Sequence, residues 1–114
     1  MALIYKIASA ELWRDAEEKG SFVGAPIDLT DGFIHFSTAE QLRETVALHF
    51  KGQDGLIVAA IDPEKLQVPL AWETSRGGAL FPHLYAALPM SAVAWVKPLP
   101  MLADGSHDFS GIDL

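Results

Sequence analysis

The chain has 114 residues, half of them hydrophobic and a fifth charged, which is enough for one compact domain with its own core and too little for two. It contains no cysteine, so disulfides, thiolate metal sites and a cysteine nucleophile are excluded. Fifteen acidic against eight basic residues give a net charge of −7, which disfavours nucleic acid as a partner gripped through its phosphates.

In chain order, Leu3-Ile4-Tyr5-Lys6-Ile7 is β-prone and reads as a buried strand, after which Ser9 caps a helix carrying Leu12, Trp13 and Ala16 on one side and ending at Gly20. Residues 21–32, with Gly24, Pro26 and Asp31-Gly32, read as a loop into a short strand, Phe33-Ile34-His35-Phe36. Thr38 with Gln41, or Ser37 with Glu40, forms a capping box for a second helix whose apolar face repeats at Leu42, Val46 and Phe50. Leu56 to Ile61 is a continuous apolar run stopped by Asp62-Pro63 and is expected as a central strand. Val68 to Glu73 is extended, Gly77-Gly78 turns, and Ser91 to Val96 forms a last strand before Pro98 and Pro100. Strands outnumber helices and follow one another after the second helix, so the pattern favours an α+β layout over a doubly wound parallel sheet. The expectation is one domain over 1–114, with a core at about 2–98 and a peripheral tail at 99–114, rich in Asp, Gly and Ser.

The longest apolar run, residues 86–96, is broken by Pro89 and Ser91 and falls short of the ~20 residues of a membrane span. No basic segment followed by an apolar stretch and a small-residue cleavage site opens the chain. A cytoplasmic, bacterial-type protein without a membrane partner is expected.

Four segments place chemistry beside strand ends. In Asp31-Gly32-Phe33-Ile34-His35-Phe36-Ser37-Thr38 a strand delivers a histidine and two hydroxyls to a helix start, where free N–H groups favour an anion such as a phosphate. The plainer reading is that Ser37 or Thr38 only caps the helix. Trp72-Glu73 pairs apolar surface with a carboxylate, suited to a partly desolvated base or a hydrogen bond to a sugar hydroxyl, or else a core Trp precedes a solvated Glu. Arg76 before Gly77-Gly78 would hold a phosphate or carboxylate, or stand exposed. His83, in the apolar context of Phe81-Pro82-His83-Leu84-Tyr85, is a buried satisfied histidine or a pocket acid or base. His49 and His107 receive no role, and because no histidine spacing suits a metal, no metal site is expected.

Ile4-Tyr5-Lys6-Ile7, the Asp31–Thr38 run with Gln41, Trp72-Glu73 and Phe81–Tyr85 together resemble the bacterial domain-of-unknown-function family 952, up to about Pro98. More remotely, the pattern resembles the ADP-ribosyltransferase superfamily, above all the catalytic half of the RNA 2′-phosphotransferases. There a strand ending in Tyr-His-Gly-Thr is followed by a strand with His-x-Ser and a helix. Tyr5-Lys6 takes the place of the first Tyr-His, His35-Phe36-Ser37 matches the second motif, and Ile61-Asp62 matches the Ile-Asp that closes the central strand. Glu73 stands third in chain order, where many ADP-ribosyltransferases carry their catalytic acid. Lys6 replaces a histidine that would contact the NAD ribose, and no Gly-Thr follows it.

The resemblance implies a split β-sheet with two main helices and a cleft for an NAD-like or nucleotide ligand, with NAD a candidate substrate and no certain cofactor. It implies that Glu73 holds the ribose 2′-hydroxyl and stabilises an oxocarbenium-like transition state. His35 and His83 complete the catalytic set, and Lys6, Ser37, Thr38, Arg76 and Tyr85 bind the ligand. His35, Ser37, Glu73 and His83 are therefore expected to converge on one concave site, transferring or hydrolysing ADP-ribose. The alternatives are a non-catalytic small-metabolite binding module on the same fold and an RNA 2′-phosphotransferase-like activity. Neither reading specifies an oligomeric state.

Overall fold

A computed structural model describes residues 2–75 and 78–114; Arg76 and Gly77, expected at a ligand and in a turn, lie outside the described residues. The elements in order are β1 (Ile4–Ser9), α1 (Ala10–Lys19), β2 (Ser21–Phe22), α2 (Pro26–Asp31), β3 (Ile34–His35), α3 (Ala39–His49), β4 (Leu56–Ile61), β5 (Ala71–Thr74), β6 (Leu80–Leu84), β7 (Leu88–Pro89) and β8 (Val93–Leu99).

Period-two alternation in β1 sends Ile4 and Ala8 into one apolar core and Tyr5 and Ile7 into another. β1 pairs antiparallel with β4, and β4 with β8, so β4 is central as expected. Covered on both faces, β4 sends Ala59 and Ile61 to the first core and Val58 and Ala60 to the second, which is why its sequence is unbroken apolar. The last strand starts later than expected, after a 3₁₀ turn at Met90–Ala92, and runs on through Pro98 to Leu99. A proline is tolerated there because β8 is an edge strand.

α1 begins where the Ser9 side chain accepts from the Leu12 N–H and ends at left-handed Gly20, as the sequence indicates. α3 is capped by Thr38 and Gln41, not by the Ser37–Glu40 pair, and lays Leu42 and Val46 on the second core. α2 occupies part of the stretch expected as loop, giving three helices instead of two. Pro26 supplies the fixed φ of its first turn and Gly32 closes it at φ 85°.

A second three-stranded sheet has the order β3-β6-β5, and β2 pairs with β7. β6 was not foreseen as a strand, because Pro82 interrupts its pattern. The Pro82 carbonyl accepts from the Phe36 N–H, just past the end of β3. Its absent N–H points to that same side, so the reciprocal bond to the Phe36 carbonyl is missing, at the point where β3 ends. The two three-stranded sheets meet where Tyr5 and Ser37 exchange backbone hydrogen bonds of 2.8 and 2.9 Å.

In the tail, expected to be peripheral, residues 100–104 are exposed and single residues pack inward. Leu99 and Ile112 join the second core, and His107 is buried with Nε2 2.7 Å from the Gln53 carbonyl oxygen. The radius of gyration is 13.3 Å, the value of about 13 Å for one compact domain of this length. Among the described residues no helix is long and apolar enough to cross a membrane.

Candidate functional site

The β3–β6 register sets His35 opposite His83, so both side chains leave the sheet on one face, with ring centroids 5.3 Å apart in an edge-to-face contact. Phe33 stacks on His83 at 4.2 Å and touches the rings of His35 and Tyr85 at 4.6 and 5.1 Å. In the β5–β6 pair Ala71 stands opposite His83, which makes Glu73 its diagonal neighbour on the same face. Glu73 Oε1 accepts from His83 Nδ1 at 2.7 Å, and the Tyr85 hydroxyl donates to both Glu73 oxygens at 2.8 and 3.1 Å. These bonds, that from His83 foremost, hold the Glu73 carboxyl below the usual carboxylate range, and the bond to Glu73 pushes the Tyr85 phenol up.

Trp72 pairs with Pro82 on the opposite face and is half-exposed. It neither forms core nor desolvates Glu73, and strand alternation is the reason: adjacent residues point to opposite sides.

Beneath His35 lies Asp28, which was not singled out from the sequence. Its side chain is 1% exposed. It accepts from the Ala25 N–H at 2.8 Å, from the His35 N–H at 3.1 Å, from His35 Nδ1 at 2.6 Å and from the Lys6 ammonium at 2.8 Å. Burial raises its carboxyl, but the His35 bond and the Lys6 charge outweigh that and hold it at about 2. Burial pushes the Lys6 ammonium down, against the pull of Asp28. Lys6 also donates to the His35 carbonyl oxygen at 3.0 Å. Its ammonium is thus committed inside the protein, contrary to the expectation that it reaches for a ligand. On the outer side His35 Nε2 lies 3.0 Å from Asp31 Oδ2.

A cleft of about 540 Å³ opens at this place. Tyr5, Lys6 and Ile7 line it from β1, His35, Phe36 and Ser37 from β3 and the turn after it, Thr45 and His49 from α3, and Phe81 and His83 from β6. His35, Ser37 and His83 therefore share one concave surface, and Glu73 joins them through its bond to His83. Tyr85 stands one bond further back, behind Glu73.

Thr38 does not join them. Its hydroxyl accepts from the Gln41 N–H while its own N–H donates to Gln41 Oε1, and α3 shows the cleft its later turns instead of its N-terminus. An anion at the start of that helix is not what the cleft is built around. Ser37 Oγ donates to Thr45 Oγ1 at 3.1 Å. Sequence reasoning missed Asp28, Asp31 and Phe33. The signal for the first was Pro26-Ile27-Asp28 ahead of Asp31-Gly32, a proline start, an acid two residues on and a glycine stop.

The fold and site define a small α+β domain whose cleft holds two histidines, each against a carboxylate. The chain belongs to the family described as Protein of unknown function (DUF952), which matches residues 7–96. It is similar to the crystal structure of protein CC0527 from Caulobacter crescentus, with 47% identity, 96% of each chain covered and a TM-score of 0.89. The solution NMR structure of CC0527 is similar as well, with 47% identity, 97% of this chain and 96% of that one covered and a TM-score of 0.84. No curated protein matches the chain.

Proposed function

We propose that the domain is ADP-ribosyltransferase-like and takes the nicotinamide-ribosyl end of an NAD-like molecule into its cleft, cleaving the glycosidic bond. One observation carries this reading: Glu73 holds His83 through Nδ1, leaving Nε2 as the ring nitrogen available to a molecule in the cleft, with His35 directly across.

Charge and size support it. A volume of about 540 Å³ suits a mononucleotide-sized group. Among the described residues Lys6 is the one Lys or Arg in the lining, and Asp28 neutralises it, whereas Asp31 adds a carboxylate. Such a cleft suits a cationic pyridinium better than a phosphate, and Tyr5, Phe36 and Phe81 are among the residues that line it.

In the reaction, the C1′–N bond breaks and its electron pair stays on the ring nitrogen, turning the pyridinium into neutral nicotinamide. As the oxygen of water or of an acceptor hydroxyl bonds to C1′, His83 Nε2 takes its proton. Glu73 stabilises the imidazolium so formed and acts through His83 instead of on the ribose itself.

Thermal shift with NAD, nicotinamide mononucleotide and ADP-ribose, together with nicotinamide release, tests the reading. NAD and the mononucleotide should raise Tm more than ADP-ribose does, and His83→Gln should reduce release about 100-fold or more. A flat response to all three ligands overturns it. Binding without release leaves the non-catalytic small-metabolite module in its place.

A further inference from the structure

We propose that Asp28 is the positioning residue of the cleft: without lining it, Asp28 sets the orientation of His35 and keeps its Nδ1 protonated, and Lys6 serves as its buried counter-ion. For what His35 then does to a ligand, the inference rests on the function proposed above; its geometry stands by itself.

The same oxygen, Asp28 Oδ1, accepts from the His35 backbone N–H and from ring Nδ1. Two bonds from one residue to one atom fix both side-chain torsions of His35. They also keep a proton on Nδ1, because a carboxylate only accepts; by the same rule Nε2 donates to Asp31 for as long as that contact is made. Nε2 is thereby turned outward, where its contact is Asp31, a side chain 39% exposed that a ligand group can displace. Carboxylate–imidazole pairs of this kind hold a reacting ring in one orientation with the bonded nitrogen protonated.

Three features show that the surrounding chain is shaped to deliver this carboxylate. α2 is a six-residue helix with Asp28 as its buried side chain. Gly24 passes so close that a Cβ there would fall 2.8 Å from Asp28 Cβ, at φ +132°, which a side-chain-bearing residue rarely adopts. Lys6, on the inward face of β1, bonds both to Asp28 and to the carbonyl of His35 itself, tying the pair to the first strand. A buried ion pair is a poor source of stability, since desolvation consumes most of its Coulombic gain, so stability alone does not account for this one.

The test is histidine-selective ¹⁵N NMR on the intact chain, with the His35 signals assigned by their loss in His35→Gln. In the wild type, His35 should show a protonated Nδ1 whose hydrogen exchanges slowly. Lys6→Met combined with Asp28→Leu removes both charges at similar volume; the slow Nδ1–H signal should vanish while far-UV circular dichroism is unchanged. Asp31→Asn should keep it.

A wild-type spectrum with bare Nδ1 and protonated Nε2 overturns the proposal without any variant, which covers the case of a double variant that does not fold. Persistence of the Nδ1–H signal in a folded double variant also overturns it. A merely structural Asp28 would lower Tm and leave the His35 signals in place. Failure of NAD to bind would remove the proposed function and leave this result readable.

Discussion

Glu73 and Asp28 do the same thing to two different histidines, and their surroundings separate the consequences. Glu73 is 43% exposed at its side chain and gives both oxygens to His83 and Tyr85. Glu73→Gln should therefore leave Tm almost unchanged and lower kcat about tenfold or more, with little change in KM, since what is lost is stabilisation of a charged His83 present only during reaction. Steady-state kinetics and a melting curve on that variant check this; a rise in KM at constant kcat would place Glu73 in ground-state binding instead. Asp28, enclosed, shows its effect in acid. Its folded carboxyl lies at about 2 against an ordinary 3.8. A depressed pKa adds stability that is complete above the ordinary value and is lost as pH falls from about 3.8 towards 2. Urea unfolding of the wild type between pH 5 and pH 2 should accordingly show a steeper loss than the Lys6→Met, Asp28→Leu variant, which lacks this proton uptake.

At the scale of elements, α2 and α3 divide two jobs that the sequence places side by side. α3 is a packing helix whose start is closed by its own capping box, so Thr38→Ala should cost about 1 kcal/mol of stability and leave ligand affinity as it was. Denaturant titration beside a binding isotherm separates the two effects. α2 buries little apart from Asp28, and its placement depends on the close passage of Gly24. Gly24→Ala should displace α2, lowering Tm and weakening ligand affinity together, because a Cβ there meets Asp28 and the backbone is strained as well. Should affinity survive in a destabilised Gly24→Ala protein, the placement of α2 would have no part in holding the ligand. β5 and β6 add the third contribution: their register, not their chain order, brings Glu73 beside His83.

Over the whole molecule, the β1-β4-β8 sheet separates two cores, and the residues after 98 help close the second with Leu99 and Ile112. Ile112→Ala should cost about 2 kcal/mol in denaturant unfolding, the penalty of a buried cavity, where a peripheral tail would show almost none. Local signals were enough for α1, α3 and β4: Ser9 and Gly20 bound a helix, Thr38 and Gln41 start another, and six apolar residues in a row need two covered faces. They were enough, too, to single out His35, Ser37, Glu73 and His83, which stand in unusual company along the chain.

The sequence by itself determined where α1, α3 and β4 begin and that His35, Ser37, Glu73 and His83 lie at or beside strand ends, because capping, turn geometry and apolar periodicity act between residues only a few positions apart. Tertiary structure alone decided that Pro82 lies in a strand, that Trp72 faces away from Glu73, that Lys6 is a counter-ion, and that Asp28, in a stretch that reads as loop, holds His35. Each of these depends on strand register or on contacts between residues far apart in the chain. Burial of a charge is set by what folds over it, and no local pattern records that.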